Sequence, residues 1–337
     1  SRARVEGYRN FCNKLWNAAR FAEMKLSGLD RDRWQAEVFP VGAAAKLDAL
    51  SLADRWILAR AEHLAIDFHG HLDNWRLDLA AHAAYQFVWH ELCDWYLELA
   101  KRRLADDADP IERHATQGTL AAVFDMVLRV LHPMIPFITE AIWLRLPRLA
   151  GAGESLMVAA WPVVEGKVWG LIGDPALAQA EADIERMIAI VTTHRMLKAE
   201  SKISPAKPVD VVIRSEDAEV RASLLRIRES TEFVGRMRSL KLLEPGEALV
   251  RESAVALAGE VEVALPLAGL VDFDEERKRL AKEIDKKTKE QAAMAKKLDN
   301  AGFVERAPAE VVAKERVRLV ELGEELRKQQ ALLERLG

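Results

Sequence analysis

Eight side chains near the start of the chain have the types and spacing to handle an unpaired nucleic acid. Arg4, Arg9, Asn10, Asn13, Lys14, Asn17, Arg20 and Phe21 fall in a stretch of helical periodicity, beside an apolar face of Tyr8, Phe11, Leu15, Ala18 and Ala19. Guanidinium and ammonium groups neutralise phosphates, carboxamides pair with base edges, and a phenyl ring stacks on an exposed base. That mixture suits single-stranded RNA. It equally suits a solvated helix face with Phe21 turned into a core, and composition alone does not separate the two.

A second set lies near the far end. Lys278, Lys282, Lys286 and Lys289 recur at steps of three and four, so they share one side of a helix. Glu275, Glu283 and Glu290 interleave with them and offer local pairs such as Glu275–Arg279. The lysines fit either a row of phosphate contacts or a salt-bridged, solvated helix.

Other polar groupings carry less. His63, Asp67, His69 and His71 come without a cysteine or a second cluster, and read as polar residues on a helix surface, not as metal ligands. There is no glycine-rich phosphate loop and no nucleophile–histidine–acid set. The expectation is a stretch of protein that catalyses nothing alone and holds no metal or cofactor.

Composition bounds the rest. The chain has 337 residues, half of them apolar, and a formal net charge of -4, so any site for a polyanion must be a local basic patch. Neither DNA nor a membrane is expected as a partner. Cys12 and Cys93 sit in apolar helical patterns without metal or redox spacing and read as reduced core residues. No apolar run approaches the ~20 residues that span a bilayer, and no signal peptide opens the chain. A cytoplasmic monomer is expected. A start at Ser1 on a charged helix suggests a piece of something longer.

These residues need elements to position them. Periodicity predicts a first helix carrying Tyr8 to Phe21 and further helices over residues 51–74, 77–104, 111–131 and 137–146, with Ser51 and Asp54 as a capping-box-like pair. Residues 28–50 read as an extended surface connection. After the Ala150-Gly151-Ala152-Gly153 linker, a helix is predicted over 174–201 and a β-branched strand over 209–213. A helix over 217–236 follows, then strands over 239–243 and 255–265, the last split at Gly259. The remainder reads as two charged helices folded back on each other. Val312, Leu319, Leu326 and Leu333 stand at one heptad step and Leu322 and Leu336 at the other. The expected fold class is mainly α. A helical bundle spans 1–150, a small α/β connector 151–268 and an antiparallel coiled-coil arm 269–337.

Several segments also carry a family likeness. The run Gly7-Tyr8-Arg9-Asn10-Phe11-Cys12-Asn13-Lys14-Leu15-Trp16-Asn17-Ala18-Ala19-Arg20-Phe21 resembles the opening of the anticodon-binding domain of valyl-tRNA synthetases. Asp54-Arg55-Trp56-Ile57-Leu58, the segment from Trp89 to Glu98 and Leu131-His132-Pro133-Met134-Ile135-Pro136-Phe137 follow in order. Lys297-Leu298-Asp299-Asn300-Ala301-Gly302-Phe303-Val304 is similar to that family's terminal coiled coil. The first-helix and Leu-His-Pro segments are shared loosely with leucyl and isoleucyl relatives. Cys93-Asp94-Trp95-Tyr96 and the hairpin point to valine. One departure is Val191-Thr192-Thr193-His194-Arg195, where the family tends to show a paired Ile-Arg pattern; no RNA contact is carried over to that helix.

The resemblance implies the tRNA-binding part of a valine–tRNA ligase. Arg4, Asn10, Asn13, Lys14, Asn17, Arg20 and Phe21 would face the anticodon. Lys278, Lys282, Lys286 and Lys289 would face the tRNA elbow. ATP and Mg²⁺ would serve the full-length enzyme only. Phe68-His69-Gly70-His71 and Glu200-Ser201-Lys202-Ile203-Ser204 are weak echoes of the family's nucleotide-binding segments. The alternatives are the same region of an isoleucyl or leucyl enzyme, or a helical scaffold with no RNA role.

Overall fold

The computed structural model describes the chain except residues 1, 41–44, 164–167, 251, 269–272, 300–315, 317, 318, 320, 321, 324, 325, 328, 329 and 331–337, and the side chains of residues 2–4, 273–281, 283 and 299. Residues 1–198, 205–249 and 255–265 make one compact unit; residues 199–204, 250–254 and 266–337 make a second.

The first unit opens with a helical bundle. Its helices are α1 (Arg2–Lys25), α2 (Arg31–Val38), α3 (Leu52–Asp73), α4 (Leu77–Gln86), a π-helical segment (Phe87–Tyr96) that runs into α5 (Leu97–Ala100), α6 (Pro110–Leu131) and α7 (Pro136–Trp143). Leu15, Ile57, Leu58, Phe68, Phe87, Leu92 and Phe124 are almost wholly buried and form its core. The capping box read from the sequence is present: Asp54 N–H donates to Ser51 Oγ (3.0 Å) and Ser51 N–H to Asp54 Oδ2 (3.1 Å). Asp54 does more than cap. Tyr96 and Thr116 donate hydroxyl hydrogen bonds to its buried carboxylate at 2.8 and 3.0 Å, which ties α3 to the π segment and to α6.

Two helical features were not legible in the sequence. Residues 31–38, expected within an extended connection, form α2. Asp30 caps it by accepting the Arg33 N–H, and only Arg31, Trp34 and Val38 are buried, too few to show a period. Trp34 lies so close to α6 that a Cβ on Gly118 would come within 2.1 Å of its ring, so glycine is required there. The second feature is the π segment inside the helix expected over 77–104. The Leu97 N–H bonds back five residues to the Leu92 carbonyl, where α geometry would use four.

The rest of the unit is a small α/β module. Helix α8 (Pro175–Glu200) is followed by β1 (Asp210–Arg214), α9 (Ala218–Gly235), β2 (Ser239–Leu242), β3 (Ser253–Ala258) and β4 (Val261–Pro266). The sheet order is β2-β1-β4-β3, with β1 parallel to β2 and antiparallel to β4. The α9 crossover is what a parallel β1–β2 pair needs. Gly259, at φ +59°, makes the β3–β4 turn where the sequence splits the strand. Asp183 of α8, fully buried, binds α9 through Ser223 and a two-pronged contact from Arg226 (2.7 and 3.0 Å).

A buried carboxylate also fastens the chain between bundle and module. Glu62 of α3 accepts the N–H groups of Val168, Trp169 and Gly170 on Oε1 and of Leu171 on Oε2, all at 2.8–3.1 Å. Trp169 then stacks on Phe39 at 5.9 Å.

In the second unit, α10 (Phe273–Asp299) carries half-buried Ile284, Met294 and Leu298. Among the described residues beyond it, Leu319, Leu322, Gly323 and Leu326 are helical, and Leu322 and Leu326 are buried. A Cβ on Gly323 would meet Gln291 Nε2 of α10 at 3.1 Å. Val312, Leu333 and Leu336 of the expected heptad lie outside the described residues.

Candidate nucleic-acid interface

Helix α1 has two sides with opposite fates. Phe11, Leu15, Ala18, Ala19, Ala22 and Leu26 are buried, while Arg9, Asn10, Asn13, Asn17 and Arg20 are exposed. The steps 10, 13, 17 and 20 keep the three amides and Arg20 on one face. The fold thus brings four of the seven predicted residues together in water. Phe21 sits at the border of that face, half-buried. Arg4 falls in the first turn of α1, with its side chain outside the described residues. Tyr8, read as part of the apolar face, stays 67 % exposed, because no described element covers the first turns.

Lys14 is placed differently. Its ammonium pairs with Asp94 (2.5 Å) and stands 4.1 Å from the centre of the Trp89 ring. Trp89 and Asp94 are five residues apart. In an α-helix that spacing separates them by about 140°. The wider π turn brings both to the same side, against α1. Tyr85 continues the seam, stacking on Phe11 and on Trp89 at 5.4 Å each. Lys14 therefore locks α1 to the π segment and is not displayed with the amides.

Helix α7 flanks the polar face of α1. Trp16, Arg20, Glu23, Ile142, Arg145 and Leu146 line a shallow open groove between α1 and the end of α7. At its lip Arg145 pairs with Glu23 (3.3 Å) and lies over Trp16 (5.4 Å). Trp16, Glu23 and Arg145 were not singled out from the sequence. Nothing in the spacing shows that α7 returns to α1, since they are more than a hundred residues apart.

The arm lysines share one side of α10 as expected. Lys282, Lys286 and Lys289 are exposed; the Lys278 side chain lies outside the described residues. Lys289 pairs with Asp285 one turn away (2.7 Å). Both are solvated, and such a pair contributes only a few tenths of a kcal/mol, so a phosphate displaces it cheaply.

Two of the histidines set aside in the sequence meet carboxylates. His69 pairs with Asp73 and His63 approaches Glu181 of α8. Among the described residues no group of three or more His, Cys, Asp or Glu could hold a metal, and no helix is long and apolar enough to cross a membrane. Cys12 and Cys93 are unpaired and half-buried, and burial pushes the Cys93 thiol up to about 12, which leaves it a poor nucleophile.

Two family models match this chain. The anticodon-binding domain of tRNA ligase matches residues 54–213. The valyl tRNA synthetase tRNA binding arm matches residues 272–337.

Proposed function

The chain belongs to the valyl-tRNA synthetase family of tRNA ligases, whose anticodon-binding domain and tRNA-binding arm it carries, and from that premise we propose how it divides the work on a valine-type tRNA. The chain binds tRNA and recognises the anticodon. The exposed row Asn10, Asn13, Asn17 and Arg20 reads the single-stranded anticodon, with Phe21 at its edge. The observation that carries this is the segregation on α1: three carboxamides and a guanidinium stand in water on one face, beside a groove edged by Arg145. Carboxamides pair with base edges in both directions, which a purely cationic face cannot do.

Valine activation with ATP and Mg²⁺ belongs to the parent enzyme's catalytic part. The described residues do not fit a metal site, and this chain supplies grip and discrimination. It acts as a cytoplasmic monomer. Residues 1–150, 151–268 and 269–337 serve as bundle, connector and arm, and the arm closes on itself as an antiparallel hairpin.

Asn17→Ala combined with Arg20→Ala is expected to weaken binding of a valine-type anticodon stem-loop by about 1–3 kcal/mol, the range of a good base-edge contact, with an unchanged thermal midpoint. Titration by fluorescence anisotropy checks this; wild-type affinity in the folded double variant would remove α1 from the interface. Phe21→Ala, being half-buried, is the weaker probe.

The arm addresses the tRNA elbow. Its first helix has 27 residues, about 40 Å at ~1.5 Å per residue, enough to reach along an L-shaped RNA. Lys282→Glu with Lys286→Glu is expected to lower affinity for whole tRNA and to flatten its salt dependence by about one unit of slope per lost phosphate contact. Affinity for the isolated stem-loop, which has no elbow, should not change. Equal losses for both RNAs would mean that these lysines do not touch the elbow.

A further inference from the structure

We infer that Phe137 is a stacking platform for an unpaired base of the RNA held on α1, an inference that rests on the anticodon-binding reading above and adds a base-stacking residue to it. Phe137 is 91 % exposed, the highest value among the large apolar residues of the described chain. It is also held in place. Pro136 opens α7, a position that suits its fixed φ. Thr139 Oγ1 lies 3.0 Å from the Ile135 and Pro136 carbonyls and shares a 2.9 Å hydrogen bond with buried His132. A ring displayed on such a rigid turn loses little freedom when a base settles on it.

Its surroundings fit a nucleotide. Phe137 and exposed Ala141 stand four residues apart on α7, and exposed Arg145 follows in the turn just beyond its end. Arg145 is the lip of the groove that Arg20 also lines. Helix α7 therefore runs from Phe137 to the edge of the groove that the α1 face also borders. Arg148 extends the positive side, its guanidinium 4.6 Å from the Trp143 ring. The acidic residue of α7, Glu140, is occupied as acceptor of the Leu156 N–H (2.9 Å). An exposed apolar ring with no free carboxylate on its helix, and two arginines past the helix end, suits an unpaired base. Phe137 also falls within the residues matched by the anticodon-binding family.

The test uses the 337-residue chain and labelled anticodon stem-loops, intact or with one loop base at a time replaced by an abasic sugar. Phe137→Ala and Phe137→Leu are expected to weaken the intact stem-loop roughly 5- to 150-fold, the range for loss of one stacked base, while Phe137→Trp retains binding. For one abasic position the difference between wild type and Phe137→Ala should vanish. Thermal midpoints should not move, since the side chain is in water. Wild-type binding by Phe137→Leu would overturn the inference and assign the exposed ring to a protein contact. A penalty that persists for every abasic loop would also overturn it. Asn17→Ala with Arg20→Ala is run in parallel. If that variant loses binding and Phe137→Ala does not, only Phe137 is misassigned. If neither loses binding, or if the wild-type chain ignores the stem-loop, the α1 reading falls with it.

Discussion

Glu62→Ala is expected to lower the unfolding free energy by about 3 kcal/mol. One buried carboxylate accepts four backbone N–H groups in succession, from Val168 to Leu171. A hydrogen bond to a charged group is worth about 1.5–3 kcal/mol net, and four in one cluster do not add. The Val168, Trp169 and Gly170 backbone is partly exposed and recovers water when the carboxylate is removed; Leu171 is buried and does not. That sets the expectation near the value of one to two such bonds. Glu62→Gln should cost nearly as much, because a carboxamide presents one donor towards a site made only of donors. The failure should begin locally. The amides of residues 168–171 would lose protection from hydrogen exchange, and Trp169 would leave Phe39. Urea denaturation checks the magnitude. A loss below about 1 kcal/mol would mean that the connection is held by its aromatic stacking and not by the carboxylate.

The second large effect is a loss of stability in mild acid, traced to His194 of α8. The ring is fully buried, with only a weak contact to the Gly235 backbone to favour its charged form. Burial first, then the nearby charges of Lys198 and Arg195, hold its pKa at about 4 against an ordinary 6.5. The folded ring is therefore neutral where the unfolded ring takes up a proton. Between pH 6.5 and pH 4 the unfolded state binds more protons, so stability is complete above pH 6.5 and falls as pH is lowered. The slope approaches about 1.4 kcal/mol per pH unit, and the total reaches about 3 kcal/mol at pH 4. Asp125 and Asp183, whose pKa values are lowered within their arginine clusters, act later. Their contribution is present above the carboxylate range and is lost only as pH drops through it. His194→Leu should abolish the upper part of the acid slope while leaving the lower part. Urea midpoints at several pH values decide this; parallel profiles for wild type and variant from pH 7 to 4.5 would rule His194 out.

Several features were determined by the sequence alone because their causes are local. The α1 face follows from residue spacing: amides at 10, 13 and 17 must share a side of any helix that buries Leu15 and Ala18. The Ser51–Asp54 cap needs only four residues of chain, and Gly259 splits the last strand because the turn needs a positive φ that glycine supplies. Continuous runs such as Val209-Asp210-Val211-Val212-Ile213 announce a strand whatever surrounds them. The arm's heptad likewise reads directly, and buried Leu322 and Leu326 fall where it places them.

What only the tertiary structure decided involves contacts between distant segments. Helix α2 exists because Trp34 finds the space above Gly118, more than eighty residues away, and so short a helix leaves no period to read. The π segment is held by contacts to distant helices, Tyr96 to Asp54 of α3 and Asp94 to Lys14 of α1. Local propensity favours an ordinary α-helix there, so the contact of Lys14 with Trp89 and Asp94 could not be read from spacing. Phe137 looked like the first residue of a helix, and a phenylalanine at helical spacing is expected inside. It stands in water because α7 is short, turns its Ile142 and Trp143 inward, and leaves Phe137 on the side away from them. Burial is a property of the assembled surface, and spacing along one helix cannot report which of its faces will meet another.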